Sequence, residues 1–496
     1  MVDSALEERI RLSVVEGLTR VIASNPKLSR FSDIKVNSDP RVSGHSRVFH
    51  AVATDPVTEQ CRYLAVKKYH HPDVPDAENE DFDLAFVRAH DPGTLLVTEA
   101  TNYEWLSRRV TMVNEKGKEV PSYLAPNYSG SDSLSKILVT RHMDGDLLHN
   151  LIKNALEVDF PALFISGLKD VARLNGLSNA PENLARYVID PSEMRVKAAL
   201  QASREKEVLK ANFARIYHIL SGDAATGQPF SMQDVNRKLG IASNSLEGLT
   251  QDVHEKLRAI EEPVRIMHHD TNGKNIIVRP PEKGFANRFI DLESLGPGPR
   301  MTDIASYCII LSKGSNYVIS SDQFFDYLTM YLTYESAWRD RDPEKIKRLN
   351  SLADPRDFSI ESGMGREEYV TAASEFFLRA ILKTMKLSGS AAREMQFAND
   401  REQVVINPPE TWSKDMNGLY HMVEHGLMPL IGVSDKAPEF RAAFYAIGNA
   451  ANRLGYDINP DTLKVIGSGN HPGARFLISM PGSPVSNGNG GSGSSA

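Results

Sequence analysis

A segment near the middle of the chain constrains the fold most. It reads His268-His269-Asp270-Thr271-Asn272-Gly273-Lys274-Asn275 and returns through Phe289-Ile290-Asp291-Leu292-Glu293 to Asp303. Between these runs lie two short apolar stretches flanking Pro280-Pro281-Glu282-Lys283-Gly284, which read as a hairpin over 276–291. The order is therefore an Asp, an Asn five residues later, a hairpin, and a second Asp at a strand end. Other elements must frame this hairpin, and the flanking sequence supplies two kinds.

Upstream the chain is strand-rich. Leu6, Ile10, Val14, Leu18, Val21 and Ile22 first repeat at helical spacing and read as a packing face. Strands are then expected at Ile34-Lys35-Val36, Arg47 to Ala53 and Arg62 to Tyr69, with Asp39-Pro40, Gly44 and Asp55-Pro56 as turn signals. An acidic stretch, Asp73 to Asp83, reads as a solvated insertion. A helix over 94–110 and a strand Ile137 to Thr140 follow, and Met143-Asp144-Gly145-Asp146 reads as a hinge. From there the pattern is helical to residue 260, longest over Met194 to Leu220, and helical again from Thr302, with loops at 312–320 and 350–366. The expected fold is α+β and bilobal, a small β-rich lobe and a large helical one. Its divisions are an N-terminal helical extension at 1–32, a nucleotide-binding lobe at 33–143 and a helical lobe at 144–395. Beyond these come a helical extension at 396–480, with Gly418 to Met428 and Pro438 to Leu454 as its clearest helices, and a Gly/Ser-rich disordered tail at 481–496.

Composition removes several classes of function. The 496 residues, 41% apolar and 24% charged, suffice for a large soluble core. A net charge of −7 argues against a general nucleic-acid binder. Cys61 and Cys308 have no Cys or His neighbours at metal-site spacing, which argues against a disulfide framework or zinc site and fits a reducing compartment. Both read as ordinary buried residues. Glu7, Glu8, Arg9 and Arg11 make the start too charged for a signal peptide, and no apolar run is long enough to span a bilayer. The expectation is a cytoplasmic protein with neither membrane nor nucleic-acid partner; oligomeric state is not legible.

The hairpin segment carries the chemistry. Phosphoryl transfer from a nucleotide needs a carboxylate to position the acceptor hydroxyl and oxygen ligands to hold magnesium on the phosphates. Asp270 is the candidate base, and Asn275 and Asp291 are candidate hard-oxygen ligands for Mg2+. The competing reading of Asp270-Thr271-Asn272-Gly273 alone is a capped turn. Lys67 is the candidate phosphate-binding cation, because alternation in Tyr63-Leu64-Ala65-Val66-Lys67-Lys68-Tyr69 sets it on the face of the small Ala65. Its carboxylate partner is expected on helix 94–110, where Glu99 falls inside the apolar face of Leu95, Leu96, Tyr103, Leu106 and Val110 while Glu104 falls at the edge. Gly44 and Ser46, in Arg41 to Phe49, are candidates for a turn over the phosphates, with a plain hairpin as the competing reading. Asp303 is expected to support the catalytic loop and His268 to pack beneath Asp291. His269 and Glu293 stay open between a role in the site and a structural one.

These residues resemble the aminoglycoside phosphotransferase and choline kinase-like family, which shares the protein-kinase architecture. His268-His269-Asp270 with Asn275 is similar to that family's His-Gly-Asp loop, His269 replacing Gly. Ile290-Asp291-Leu292-Glu293 resembles its Ile-Asp-x-Glu strand, and Asp303-Ile304-Ala305 its following Asp. Lys67, and Glu99 with Trp105-Leu106, resemble its lysine and lysine-pairing helix. Gly273-Lys274 departs from the Pro-Gly usual before the Asn, and Lys274 is reminiscent of a protein kinase. The resemblance spans roughly 33–395 and implies Mg2+, ATP or GTP as co-substrate, and a small-molecule hydroxyl acceptor. The alternatives are a protein kinase of the same fold or a catalytically silent nucleotide-binding scaffold. A hydrolase with paired carboxylates leaves Lys67 and Asn275 unexplained. Backbone groups near Thr140 to Met143 would decide ATP against GTP.

Overall fold

The computed structural model describes residues 4–37, 41–42, 46–70, 91–154, 160–187, 193–199, 253–258, 260, 264–279, 287–312, 321–352, 354–358, 368–380, 382–383, 458–459 and 464–465. The Gly44 turn, most of Met194 to Leu220 and the expected helices beyond 396 lie outside them. The chain divides into two units, one of residues 1–204, 261–311 and 322–379, the other of 205–260, 312–321 and 380–496. The sheet, the hairpin and the Asp270 loop all belong to the first.

Its N-terminal part is an antiparallel sheet in the order Asp33–Val36, Ser46–Thr54, Cys61–Tyr69, Ile137–Arg141, Tyr128–Asp132, with Arg41–Val42 paired to Ser46–Thr54. The strands are β1 (Asp33–Val36), β2 (Arg41–Val42), β3 (Ser46–Thr54), β4 (Cys61–Tyr69), β7 (Tyr128–Asp132) and β8 (Ile137–Arg141). A small hairpin of β5 (Thr111–Val113) and β6 (Glu119–Pro121) stands apart from it. β4 is central, with Lys67 opposite Val48 on one side and Leu138 on the other. One sheet face is apolar by alternation, and helix α1 (Ser4–Ser24) covers it. Val14, Leu18, Val21 and Ile22 share one buried cluster with Phe49, Ala51, Leu64, Val66, Ile137 and Val139. The helical stripe read from the sequence is thus packing surface. Gly17 permits the close approach, since a Cβ there would lie 2.7 Å from Ser135 Cβ and 2.8 Å from Ile137 Cδ1.

Helix α2 (Pro92–Glu104) starts on an Asp91 cap whose side chain accepts from Thr94 N, and it continues as a π-helical turn over Trp105–Arg109. After β8 the chain makes the short strand β9 (Asp146–Leu147), then α3 (Leu148–Asn154) and the buried α4 (Phe160–Ser178). At the C-terminal end of α4, Asn179 pins strand β10 (Val264–Met267) by both amide groups, accepting from Ile266 N at 2.7 Å and donating to Ile266 O at 3.0 Å. β10 pairs with β13 (Gly296–Pro299), while β11 (Ile276–Val278) lies between β12 (Arg288–Phe289) and β9. Helices α5 (Thr302–Ser312) and α6 (Ser321–Arg339) follow, and Tyr307 of α5 donates to Phe164 O of α4 at 2.7 Å.

The α+β class and the hairpin following the Asp270 loop are as the sequence indicates. One expectation fails: Cys308 is buried but Cys61 is exposed. Cys61 opens β4 on the face it shares with Tyr63 and Lys67, opposite the one that α1 covers, and Cys61 and Tyr63 are both exposed there. No helix among the described residues is long and apolar enough to cross a membrane.

Candidate active site

The site is assembled from β4, α2, the loop after β10 and the turn after β12. Lys67 projects from the sheet face opposite α1. Its ammonium lies 2.9 Å from Glu99 Oε2 and 3.2 Å from Glu293 Oε2, and it also donates to Asp291 Oδ1. Lys68, its neighbour on the other face, instead bonds Ser13 and the Ser135 carbonyl. Alternation thus sends the two lysines to opposite faces and different partners.

Glu99 is fully buried on α2. Its Oε1 accepts from Leu292 N at 3.0 Å, and its Oε2 accepts from Lys67 and from the Tyr69 hydroxyl. Glu104, by contrast, is half-buried at the edge of the helix and pairs with Arg109 at 3.1 Å. Burial raises the Glu99 pKa, and Asp291 and Glu293 push the same way against the pull of Lys67. For Lys67, burial disfavours the charge, but Glu99, Asp291, Tyr69 and Glu293 outweigh it and hold the ammonium well above the ordinary lysine range.

The loop after β10 is held from below by Asp303, which is fully buried at the start of α5. Its Oδ2 accepts from His268 N and its Oδ1 from His269 N, each at 2.8 Å, while its carbonyl accepts from Thr271 Oγ1 at 2.7 Å. Asp303 therefore supports the loop through both its carboxylate and its carbonyl. His268 is buried, with Nε2 3.1 Å from Ile290 O, beneath the strand end that carries Asp291. Asn275 donates through Nδ2 to Asp270 O and Asp270 Oδ2, both at 2.9 Å, and its carbonyl accepts from Ile290 N at 2.9 Å. The loop is thus tied to the strand end on both sides. Asp291 sits at φ 61°, the left-handed region, which Asp tolerates better than most residues.

The donor set fits a hard divalent cation. Asn275 directs its nitrogen to Asp270, leaving Oδ1 as a neutral oxygen donor, and Asp291 uses Oδ1 on Lys67, leaving Oδ2. Ligand oxygens of Glu99, Asp291 and Glu293 also lie within 4.8 Å of one another, but Lys67 contacts all three. Of the remaining sequence candidates, Ser46 is buried at the start of β3 opposite Tyr69, and Lys274 is exposed on the loop.

Two contributors escaped the sequence reading although signals existed. Tyr69 follows Lys67 by two residues and so shares its face; its hydroxyl reaches Glu99, and its ring centroid is 5.1 Å from the ammonium. Asn102 lies one turn after Glu99 on α2 and donates to Leu292 O at 2.8 Å and Leu295 O at 3.0 Å, fixing the segment after Asp291. A cavity of about 340 Å³ opens on the Lys67 side of the sheet, lined among others by Asn37, His50, Val52, Tyr63 and His142. His50 lies opposite Ala65 in the ladder and so belongs to the same face.

A sequence profile described as the phosphotransferase enzyme family matches residues 113–345. The chain carries a phosphotransferase-family segment. That segment contains Asp270, Asn275, Asp291 and Asp303, while Lys67 and Glu99 lie upstream of it and join the same site through the fold. No curated protein sequence matches the chain. Among solved structures it is similar to a Plasmodium vivax ethanolamine kinase, at 14% identity, 84% coverage of this chain and 81% of that one, and a TM-score of 0.38. It is also similar to a Cryptosporidium parvum choline kinase, at 12% identity, with 84% and 98% coverage and a TM-score of 0.39. An aminoglycoside phosphotransferase from Alicyclobacillus acidocaldarius has 13% identity, with 73% and 94% coverage and a TM-score of 0.30. At these scores no property of those proteins transfers to the site. The family resemblance drawn from the loop and strand motifs is borne out by the profile.

Proposed function

We propose that this phosphotransferase moves the terminal phosphate of ATP or GTP, with Mg2+, to a hydroxyl of a small-molecule acceptor. One observation carries the reading: a buried Lys67–Glu99 pair reaches Asp291 in a site whose adjoining loop ties Asp270 to Asn275. A lysine in a merely structural ion pair has no need of a second strand end bearing metal-type oxygens beside a paired Asp and Asn.

Each group has a defined task in this reading. The Lys67 ammonium neutralises phosphate oxygens, and Glu99 and Tyr69 fix its position. Asn275 Oδ1 and Asp291 would hold Mg2+, which would offset charge on the phosphates. The nucleotide base extends from Lys67 along the sheet face toward the cavity beside Tyr63 and His142. Asp270 accepts a hydrogen bond from the acceptor hydroxyl and orients its oxygen in line with the terminal phosphorus. As the new oxygen–phosphorus bond forms, the bond to the nucleoside diphosphate breaks and the hydroxyl proton passes to Asp270. Most of the rate then comes from positioning and electrostatics.

Transfer of terminally labelled phosphate from ATP, and separately GTP, into a fractionated cell extract tests the proposal. Wild type and Asp270→Asn are compared, with small molecules and proteins resolved. Label in small molecules from wild type alone supports it. Label confined to proteins makes the enzyme a protein kinase instead, and equal labelling by Asp270→Asn removes the base assignment.

A further inference from the structure

His269 stands immediately before Asp270 and adopts φ 65°. Few residues with a Cβ occupy this left-handed region, though His does so more often than most. Two sets of contacts keep it there. Its main-chain N–H donates to Asp303 Oδ1 at 2.8 Å. Its ring Nε2 lies 3.2 Å from Gly296 O and 3.2 Å from Pro297 O. Two carbonyls can only accept, so this nitrogen carries the proton and donates to both.

The ring is seated in a slot that the neighbouring strand leaves open. β13 pairs with β10, Met267 opposite Gly296, so β13 runs beside the strand that delivers the loop. A Cβ on Gly298 would collide with His269 Cε1 and would lie 2.8 Å from Nε2. Gly298 has no positive φ that demands glycine, so the missing Cβ is explained by the ring. On its other side Asp270 is tied to Asn275.

We infer that His269 is a positioning residue for Asp270: its ring, clamped on the Gly296 and Pro297 carbonyls in the slot beside Gly298, holds the left-handed turn that aims the carboxylate. Relaxing φ from its present value to an ordinary helical one rotates the backbone by about 130° and redirects the residue that follows. The inference rests on Asp270 being the acceptor-positioning base of the proposed function.

The test is a double-mutant cycle on the full chain: wild type, Gly298→Ala, His269→Gly and the double variant. One readout is hydrogen exchange of the peptide over 268–275; the other is ADP release from Mg-ATP with water as acceptor. Gly298→Ala is expected to displace the ring, speed exchange in that peptide and lower kcat on the order of ten- to a hundredfold. KM for Mg-ATP should stay within about twofold, because Lys67 and Asp291 are untouched. In the His269→Gly background the same alanine should change neither readout, since no ring remains to displace. His269→Gly alone, where glycine keeps the turn without strain, should loosen the loop and lower kcat, so the clamp is tested even if Gly298→Ala does not fold. Wild-type exchange and kcat in Gly298→Ala, or equal losses in both backgrounds, would overturn the inference. Absence of ADP release from wild type counts against the proposed function, and the exchange data then still decide the clamp.

Discussion

Lys67 faces three carboxylates, Glu99, Asp291 and Glu293, of which Glu99 is almost completely enclosed. A buried carboxylate is stable only when paired and hydrogen-bonded, and Glu99 achieves this with Lys67, Tyr69 and Leu292 N. Because the Lys67 pKa is raised in the folded state, its stabilising pairing is fully present below the ordinary lysine range. It is lost only as pH rises through the folded value, so the ammonium stays charged at neutral pH. Glu99→Gln preserves the hydrogen bond from Leu292 N but removes the charge that competes with Asp291 for Lys67. The ammonium should then bind Asp291 more firmly and be less available to phosphate, with Mg-ATP affinity falling about tenfold, or about 1.4 kcal/mol. Calorimetric titration checks this, and wild-type affinity would contradict the assigned role of Glu99.

Among the elements, α1 does more than precede the sheet; it buries Val14, Leu18, Val21 and Ile22 in the core under β3, β4 and β8. The approach depends on Gly17, where an added methyl meets Ser135 and Ile137. Gly17→Ala should therefore destabilise by about 1–3 kcal/mol through overpacking, measured as a shift in the urea midpoint at unchanged slope. Stability equal to wild type would mean that the helix can move away without loss. The same elements show what the sequence discloses. The α1 stripe, the choice of Lys67 over Lys68 and of Glu99 over Glu104 all follow from periodicity, because each residue is sorted by the face its own element buries. The support of the loop by Asp303 and the seat of His268 were legible from motif order. The His269–Gly298 contact was not, since it depends on β10 pairing with β13 some thirty residues later, and spacing does not encode a pairing partner. A left-handed residue at His269 was hidden for a similar reason, because His is compatible with many conformations. Cys61 is misread because composition reports how often cysteine is buried, not which face of its strand a helix covers.

At the scale of the whole molecule, Asp170 links the α4 core to the return strand of the hairpin that ends at Asp291. Asn287 donates to it at 2.5 Å, and Arg173 lies 3.9 Å away. Burial nevertheless pushes its carboxyl up to about 6, against the pull of Arg173, Asn287 and Arg288. The folded state thus holds this proton more tightly than the unfolded chain. The corresponding stability is full below about pH 4 and declines as pH rises through about 6, by roughly 3 kcal/mol in total at about 1.36 kcal/mol per unit. Asp170→Asn should remove that decline, so urea stability curves of variant and wild type should diverge between about pH 4 and 7. Parallel curves would contradict the assignment.

The central claim is that Asp270 serves the chemical step in a site that binds nucleotide without it. The most direct test measures Mg-ATP affinity and single-turnover loss of the terminal phosphate on the same preparations of wild type and Asp270→Asn. Affinity should remain within about threefold, while turnover should fall on the order of a thousandfold. Turnover retained in Asp270→Asn, or affinity lost together with it, would contradict the claim.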